Sequence, residues 1–89
     1  MQLKFKKQFL KQLAELPNEI RPKIEEFVFV QLPQRQSIGE IGFIEKMHGY
    51  NGYYKARFGS YRVGMKLGED GTLTMMVVMH RKEIYRFFP

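Results

Sequence analysis

The alternation of apolar and polar positions divides this chain into a helical first third and a β-rich second half. Leu3 and Phe5 alternate with Lys4 and Lys6, a short strand signal. Phe9, Leu10, Leu13 and Leu16 then recur at steps of three or four, which predicts one face of a helix stopped by Pro17. Asn18 suits the N-cap of a second helix, and Pro22 lies near enough to its start to be tolerated. Ile20, Ile24, Phe27 and Val28 make the apolar stripe of that helix, and Pro33 is expected to end it. The two helices read as an αα-hairpin.

Residues 33–52 hold Pro33, Gly39, Gly42, Gly49 and Gly52 and read as loop, with a short strand or turn within Ile41–Met47. From Tyr53 onward the pattern is β. Tyr53–Phe58 and Tyr61–Leu67 flank Gly59-Ser60, a two-residue loop whose leading glycine suits a type II′ turn. Gly68-Glu69-Asp70-Gly71 supplies a second turn. Thr72–Met79 is an almost continuous apolar run, as in a strand covered on both faces. Glu83–Phe88 reads as a short terminal helix or tail. The expected fold is α+β: an antiparallel meander with the αα-hairpin packed on one face, in the order β-α-α-β-β-β with a short C-terminal element, one domain over residues 1–89.

The hairpin register follows from its loop. With Gly59-Ser60 at the bend, Phe58 faces Tyr61, Arg57 faces Arg62, Ala56 faces Val63, Lys55 faces Gly64, Tyr54 faces Met65 and Tyr53 faces Lys66. One face then carries Tyr54, Ala56, Phe58, Tyr61, Val63 and Met65, ready for the helices. The other carries Tyr53 and four cations, Lys55, Arg57, Arg62 and Lys66, with no acid among them. Like charges placed directly across a strand pair repel by a few tenths to about 1 kcal/mol. Folding alone gives no reason for Arg57 opposite Arg62; an anion bound between them would. The competing expectation is a solvated outer face on which long side chains splay apart.

Composition and charge add to this. The chain has 89 residues, 44% of them hydrophobic and 15% aromatic, a globular profile with no stretch long and apolar enough to cross a bilayer. Met1 leads into Gln-Leu-Lys-Phe-Lys-Lys, unlike a signal peptide, so the expected location is the cytoplasm. The absence of cysteine excludes disulfides, thiolate metal sites and thiol catalysis. The net charge is +6, and residues 46–89 hold eight basic and three acidic residues, so the imbalance lies in the second half. Such a half suits an anionic partner, nucleic acid or an acidic protein. His48 and His80 stand without a carboxylate cluster, no Gly-rich phosphate loop is present, and Asp70 is the single Asp; metal-dependent nuclease chemistry and nucleotide hydrolysis are therefore disfavoured. Near the end, Arg81 offers a phosphate donor, His80 a proton exchanger near neutral pH, and Tyr85 a ring to stack on a base.

Three phrases in this chain resemble small toxins of the RelE/ParE superfamily of bacterial toxin–antitoxin modules. They are Glu45-Lys46-Met47-His48-Gly49-Tyr50, Tyr54-Lys55-Ala56-Arg57-Phe58-Gly59-Ser60-Tyr61-Arg62-Val63, and His80-Arg81-Lys82-Glu83-Ile84-Tyr85. The opening strand and αα-hairpin fit as well. The resemblance to the RelE-like branch implies a ribosome-dependent mRNA endonuclease that works without metal or other cofactor. In it the RNA 2′-OH attacks its own phosphate. It implies catalytic roles for Lys55, Arg57, Arg62, Arg81 and Tyr85: Arg57 and Arg62 on the phosphate, Lys55 as base or RNA positioner, Arg81 or His80 at the leaving group, and Tyr85 on the substrate base. Lys66, His80 and Tyr53 would bind substrate. The chain departs from some members in having Arg57 in place of lysine, a shorter turn, and Arg81 closer to Tyr85. The implied partners are a cognate antitoxin and mRNA on the ribosome. The ParE-like branch implies instead a DNA gyrase inhibitor, and a non-catalytic nucleic-acid-binding domain is a third expectation.

Overall fold

A computed structural model describes residues 1–39 and 41–89. Strand β1 (Leu3–Phe5) leads into helix α1 (Lys7–Ala14). Helix α2 (Arg21–Glu26) then runs through a π-helical turn (Phe27–Gln31) into a last helical turn, α3 (Leu32–Gln34). Strands β2 (Ile44–Lys46), β3 (Tyr53–Phe58), β4 (Tyr61–Leu67) and β5 (Leu73–His80) follow, and helix α4 (Arg81–Phe87) closes the chain. The five strands form one sheet in the order β1-β5-β4-β3-β2.

The helix periodicity is realised except at Leu10, which turns about 100° away from Phe9 and stays 43% exposed. Phe9, Leu13 and Leu16 from α1 and its exit, with Ile24, Phe27, Val28 and Leu32, pack on Ala56, Val63, Met65, Leu73, Met75 and Val78 of the sheet. Two boundaries differ from expectation. Asn18 does not cap α2; Ile20 occupies that position, and the Asn18 side chain accepts a hydrogen bond from Arg21, which also donates to the Ala14 carbonyl. Pro33 does not stop the helix but sits within its last turn. The wider π turn before it relaxes the ordinary backbone ladder, and the helix ends when the Arg35 N–H reaches the Leu32 carbonyl.

The sheet is richer than the expected meander. β2 adds an antiparallel edge beside β3, and β1 pairs in parallel with β5 at the opposite edge. The β3–β4 register matches the sequence expectation at all six pairs, from Tyr53 with Lys66 to Phe58 with Tyr61. Gly59 has φ +57° and, among the described residues, no non-glycine residue has positive φ, so the bend has the single left-handed first position of a type II′ turn. Between β4 and β5 a bulge intervenes: Gly64 pairs Val77 while Met65 pairs Met75, leaving Met76 extra. The Val78 N–H beyond it is taken by the Gln12 side chain of α1 at 2.9 Å, which ties helix to sheet.

The run Leu73–His80 is covered on both faces, as its apolar character requires. The helical pair covers one face. On the other, Ile84 and Phe88 of the C-terminal segment pack with Val77, and with the half-buried Met47, Tyr53, Met76 and Met79. Phe88 lies so close over Gly64 that a Cβ there would come within 2.8 Å of its ring. Only glycine leaves room for the C-terminus to fold back on the sheet. α4 begins two residues before the expected Glu83 because His80 Nδ1 accepts the Lys82 N–H as its cap.

Candidate nucleic-acid interface

The outer face of β3 and β4 is where the chain's cations collect. Lys55, Arg57 and Arg62 stand on one face because residues directly opposed across the hairpin share a side. α4 supplies the wall beside them. Its first N–H, that of Arg81, donates to the Ser60 carbonyl at 2.8 Å, which fixes the start of the helix at the hairpin bend. One turn later the Tyr85 hydroxyl accepts from Lys55 Nζ at 3.1 Å, and the same amine stands 4.8 Å from the centre of the Tyr85 ring. Tyr85 nevertheless keeps 66% of its surface exposed, so its ring is open to a stacking partner.

The directly opposed arginines do not point at one another. Arg62 Nη1 folds back on the hairpin and donates to the Gly59 carbonyl at 2.8 Å and the Tyr61 carbonyl at 2.9 Å. Arg57 reaches the other way, to Glu45 Oε1 at 2.9 Å. Both partners of this ion pair are more than half or half exposed (61% and 50%), a setting in which such pairs contribute about 0–1 kcal/mol. Arg57 is thus held by a weak, exposed ion pair that an anion can displace, whereas Arg62 is held by two backbone carbonyls of the hairpin.

Glu45 corrects the expectation of a face without acids. It sits on β2, directly opposite Lys55, and so belongs to the outer face. The hydrogen bond from Arg57 is the largest of the influences that hold its carboxyl below the ordinary carboxylate value; desolvation opposes it, and the nearby charges of Lys55, Arg57 and Arg62 add to it. Sequence reading missed Glu45 because β2 is three residues long between glycines. The signal that was available is the alternation Ile44-Glu45-Lys46, with Ile44 toward the core.

The other expected residues divide into two groups. Lys66 and Tyr53 share the outer face, with Lys66 Nζ 5.2 Å from the Tyr53 ring centre, but they lie at the far end of the hairpin. Lys66 lies four residue steps along the strand from Arg62, about 13 Å. Phe88 stands over the intervening Gly64 and also meets the Tyr53 ring at 5.5 Å. His80 is not brought to the cation face. It pairs with Tyr61, on the opposite side of the sheet from Arg62, its ring edge-on to the Tyr61 ring at 5.4 Å, and its Nδ1 is occupied as the helix cap. The residue that does oppose Arg62 from β5 is Met79. Among the described residues, no three His, Asp or Glu side chains gather as a metal site, and no helix is long and apolar enough to cross a membrane.

Comparison with known proteins supplies the family. Residues 3–85 match the family described as the ParE toxin of type II toxin–antitoxin systems. Toxin RelE3 of Methanocaldococcus jannaschii is 36% identical over 90 residues, spanning the whole of both chains. The chain belongs to the RelE/ParE family of type II toxins. Among solved structures, the toxin resembles a chain of the RelB–RelE antitoxin–toxin complex from Methanococcus jannaschii, with TM-score 0.80 and 35% identity over 97% of this chain and 99% of that one. It also resembles a chain of the archaeal RelE–RelB complex from Pyrococcus horikoshii, with TM-score 0.68 and 25% identity over 90% and 93%. The intact RelBE complex of E. coli, at TM-score 0.68 and 20% identity, shares the fold. The mixed five-stranded sheet, with the helical pair on one face and the C-terminal helix on the other, therefore matches the architecture of these toxins.

Proposed function

We propose that this toxin is an endoribonuclease that cuts mRNA on the ribosome and so inhibits translation, through attack of a 2′-OH on the adjoining phosphate and without a metal ion. The observation that carries the reading is the convergence of Lys55, Arg57, Arg62 and Tyr85 on one face, with Arg81 anchored beside them by the hairpin bend. Arg57 and Arg62 take the non-bridging phosphate oxygens and stabilise the charge of the phosphorane; arginine suits this because it stays ionised and binds two oxygens at once. Arg81 meets the charge that develops on the leaving oxygen. Tyr85 stacks on a substrate base, and Lys55, bonded to it, holds the ring and the RNA backbone in register. Lys66 and Tyr53 contact RNA farther along the strand. The site is open, without a deep cleft, which fits a reaction in which the ribosome orients the substrate.

The partner that restrains the toxin is a cognate antitoxin, as the RelB–RelE complexes among its structural relatives suggest. An acidic antitoxin segment would be drawn to the +5 half of the chain. Both act in the cytoplasm, where the ribosomes are.

The match to a ParE family favours a second reading, inhibition of DNA gyrase. One comparison separates them. The purified toxin is added in parallel to ribosomes programmed with mRNA and to a gyrase supercoiling reaction. Cut mRNA with normal supercoiling is the expected result. Intact mRNA with blocked supercoiling would establish the second reading, and salt-sensitive RNA binding with neither effect would leave a non-catalytic binder.

A further inference from the structure

The loop between β2 and β3 carries side chains that the mechanism does not use, although it lies at the far end of the same outer face. Its backbone is held by its own hydrogen bonds. The Met47 N–H donates to the Tyr53 carbonyl at 2.9 Å, and the Tyr53 N–H to the Tyr50 carbonyl at 3.1 Å. The Leu67 N–H donates to the Gly52 carbonyl at 2.7 Å, which ties the loop to β4. Tyr50 stands out from this frame with 52% of its surface exposed, and it belongs to neither core cluster. Its ring meets the Tyr53 ring edge-on at 6.5 Å, so it continues the aromatic surface past the point where Phe88 seals it. Beside it opens a cleft of about 420 Å³ lined by Lys46, Met47, His48, Gly49, Tyr50 and Asn51. Among the described residues no acid lines this cleft. The acids nearest in the chain and the fold are engaged or displaced: Glu45 bonds Arg57, and Glu69 lines a neighbouring cleft beside Lys66.

We propose that Tyr50 and Asn51 form a second nucleotide subsite, which takes a base of the message a few nucleotides from the cut; this rests on the reading of the outer face as the surface on which mRNA lies. The components are those a single-stranded nucleotide needs. The exposed Tyr50 ring offers a stacking face, and the Asn51 amide offers a donor and an acceptor to one base edge. Lys46 supplies charge for the adjoining phosphate. The pairing of lysine with tyrosine at the scissile end recurs here. Lys55 Nζ stands 4.8 Å from the Tyr85 ring centre, and Lys66 Nζ stands 5.2 Å from that of Tyr53. Between the two ends Phe88 covers the sheet, so the strand must cross this stretch without docking a base. Lys66, about 13 Å from Arg62, stands where the crossing backbone passes. Stacking on Tyr50 accepts any base, whereas the Asn51 amide discriminates among base edges. The subsite therefore gives the toxin a sequence preference at a distance from the bond it cuts.

The test uses the full chain on ribosomes programmed with a 2′-O-methylated, uncuttable message that carries a single 2-aminopurine. This fluorescent base is moved position by position along the message, and stacking on a tyrosine ring quenches it. Relative to ribosomes without toxin, two quenched positions are expected, separated by at least one that is not. Tyr50→Ala should abolish one of them, leave the other, and weaken toxin binding about 5- to 150-fold. Tyr50→Phe, which keeps the ring, should retain both. Asn51→Ala should keep the quenching and even out the affinities for the four bases at that position. A single quenched position, or a second one that survives Tyr50→Ala, would overturn the subsite. Loss of the second position in Tyr50→Phe as well would also overturn it, since the ring alone should suffice. The nuclease reading is tested apart, with an unmodified message. A toxin that cuts that message but quenches no second base removes the subsite alone. A toxin that shows both quenched positions and never cuts removes the nuclease reading and leaves the subsite standing.

Discussion

The two ends of the outer face of one hairpin have been put to different uses. At the end beside the bend, the strands present Arg57 and Arg62, and the chain leaves them open to solvent. At the other end, the same strands present Tyr53 and Gly64, and the C-terminus folds back to seal them with Phe88. The difference originates in side-chain size. Gly64 permits the close approach of an aromatic ring, whereas the long guanidinium side chains two pairs nearer the bend exclude it. α4 is therefore pinned at both ends, by Ser60 at its start and Gly64 at its finish, and its middle is left to hold Tyr85 over Lys55. A packing event at the sealed end sets the geometry of the open one.

Five substitutions sharpen this contrast. The largest effect on folding should come from the core side of the same hairpin. Met65→Ala, at a fully buried position, is expected to cost about 2–5 kcal/mol, measured by denaturant unfolding. Arg62→Ala should do the reverse. It is expected to leave unfolding nearly unchanged while cutting on ribosomes falls about 10²- to 10³-fold and growth arrest is lost. If the variant unfolds instead, the Arg62 contacts with the Gly59 and Tyr61 carbonyls serve stability rather than function.

Gly64→Ala tests the coupling between the ends. Its Cβ would force Phe88 aside, at an expected cost of about 1–3 kcal/mol. Because Phe88 anchors the end of α4, Tyr85 should also loosen. Tyr85 fluorescence in this variant should become more accessible to a quencher, and activity should fall further than stability alone explains. Unchanged activity would separate the two ends.

Lys66→Ala should act weakly and without regard to chemistry. It should reduce RNA affinity a few-fold and lower the salt slope of binding by about one, with little change in single-turnover rate. Asp70→Asn should have the smallest effect. Asp70 accepts from the Thr72 N–H and hydroxyl in the β4–β5 turn, and these bonds hold its carboxyl below the ordinary value of 3.8. The folded state thus favours the ionised form, which adds stability above about pH 4 that is lost as pH falls through the lowered value. The difference between wild type and Asp70→Asn in thermal unfolding should accordingly be greatest near neutral pH and shrink toward zero in acid.

What could be read from the sequence, and what could not, follows the same physics. A two-residue loop with a leading glycine leaves a hairpin little choice of register, so Arg57 opposite Arg62 was legible from Gly59-Ser60 alone. The helix stripes were legible because the apolar residues keep a 3.6 period. β2 was only bracketed, as a short strand or turn within Ile41–Met47, since three residues carry almost no periodic signal, and Glu45 was not placed on the outer face. The β4–β5 register was hidden for another reason. The run from Met75 to Met79 is apolar throughout, so nothing in it marks Met76 as the extra residue. A longer turn joins these strands, and the side on which His80 emerges could not be derived. Its position beside Tyr61 rather than Arg62 follows only from the pairing. Likewise, no local rule reveals that α2 widens into a π turn that lets Pro33 sit within the helix.

The most direct measurement of the central claim, that the open cation end grips a scissile RNA phosphate, is the mapping of mRNA 5′ ends on ribosomes after brief induction of the toxin. The account expects new 5′-hydroxyl ends within ribosome-bound codons for the wild type, and none for Arg62→Ala at equal expression. Growth arrest by the wild type with every message intact would contradict it.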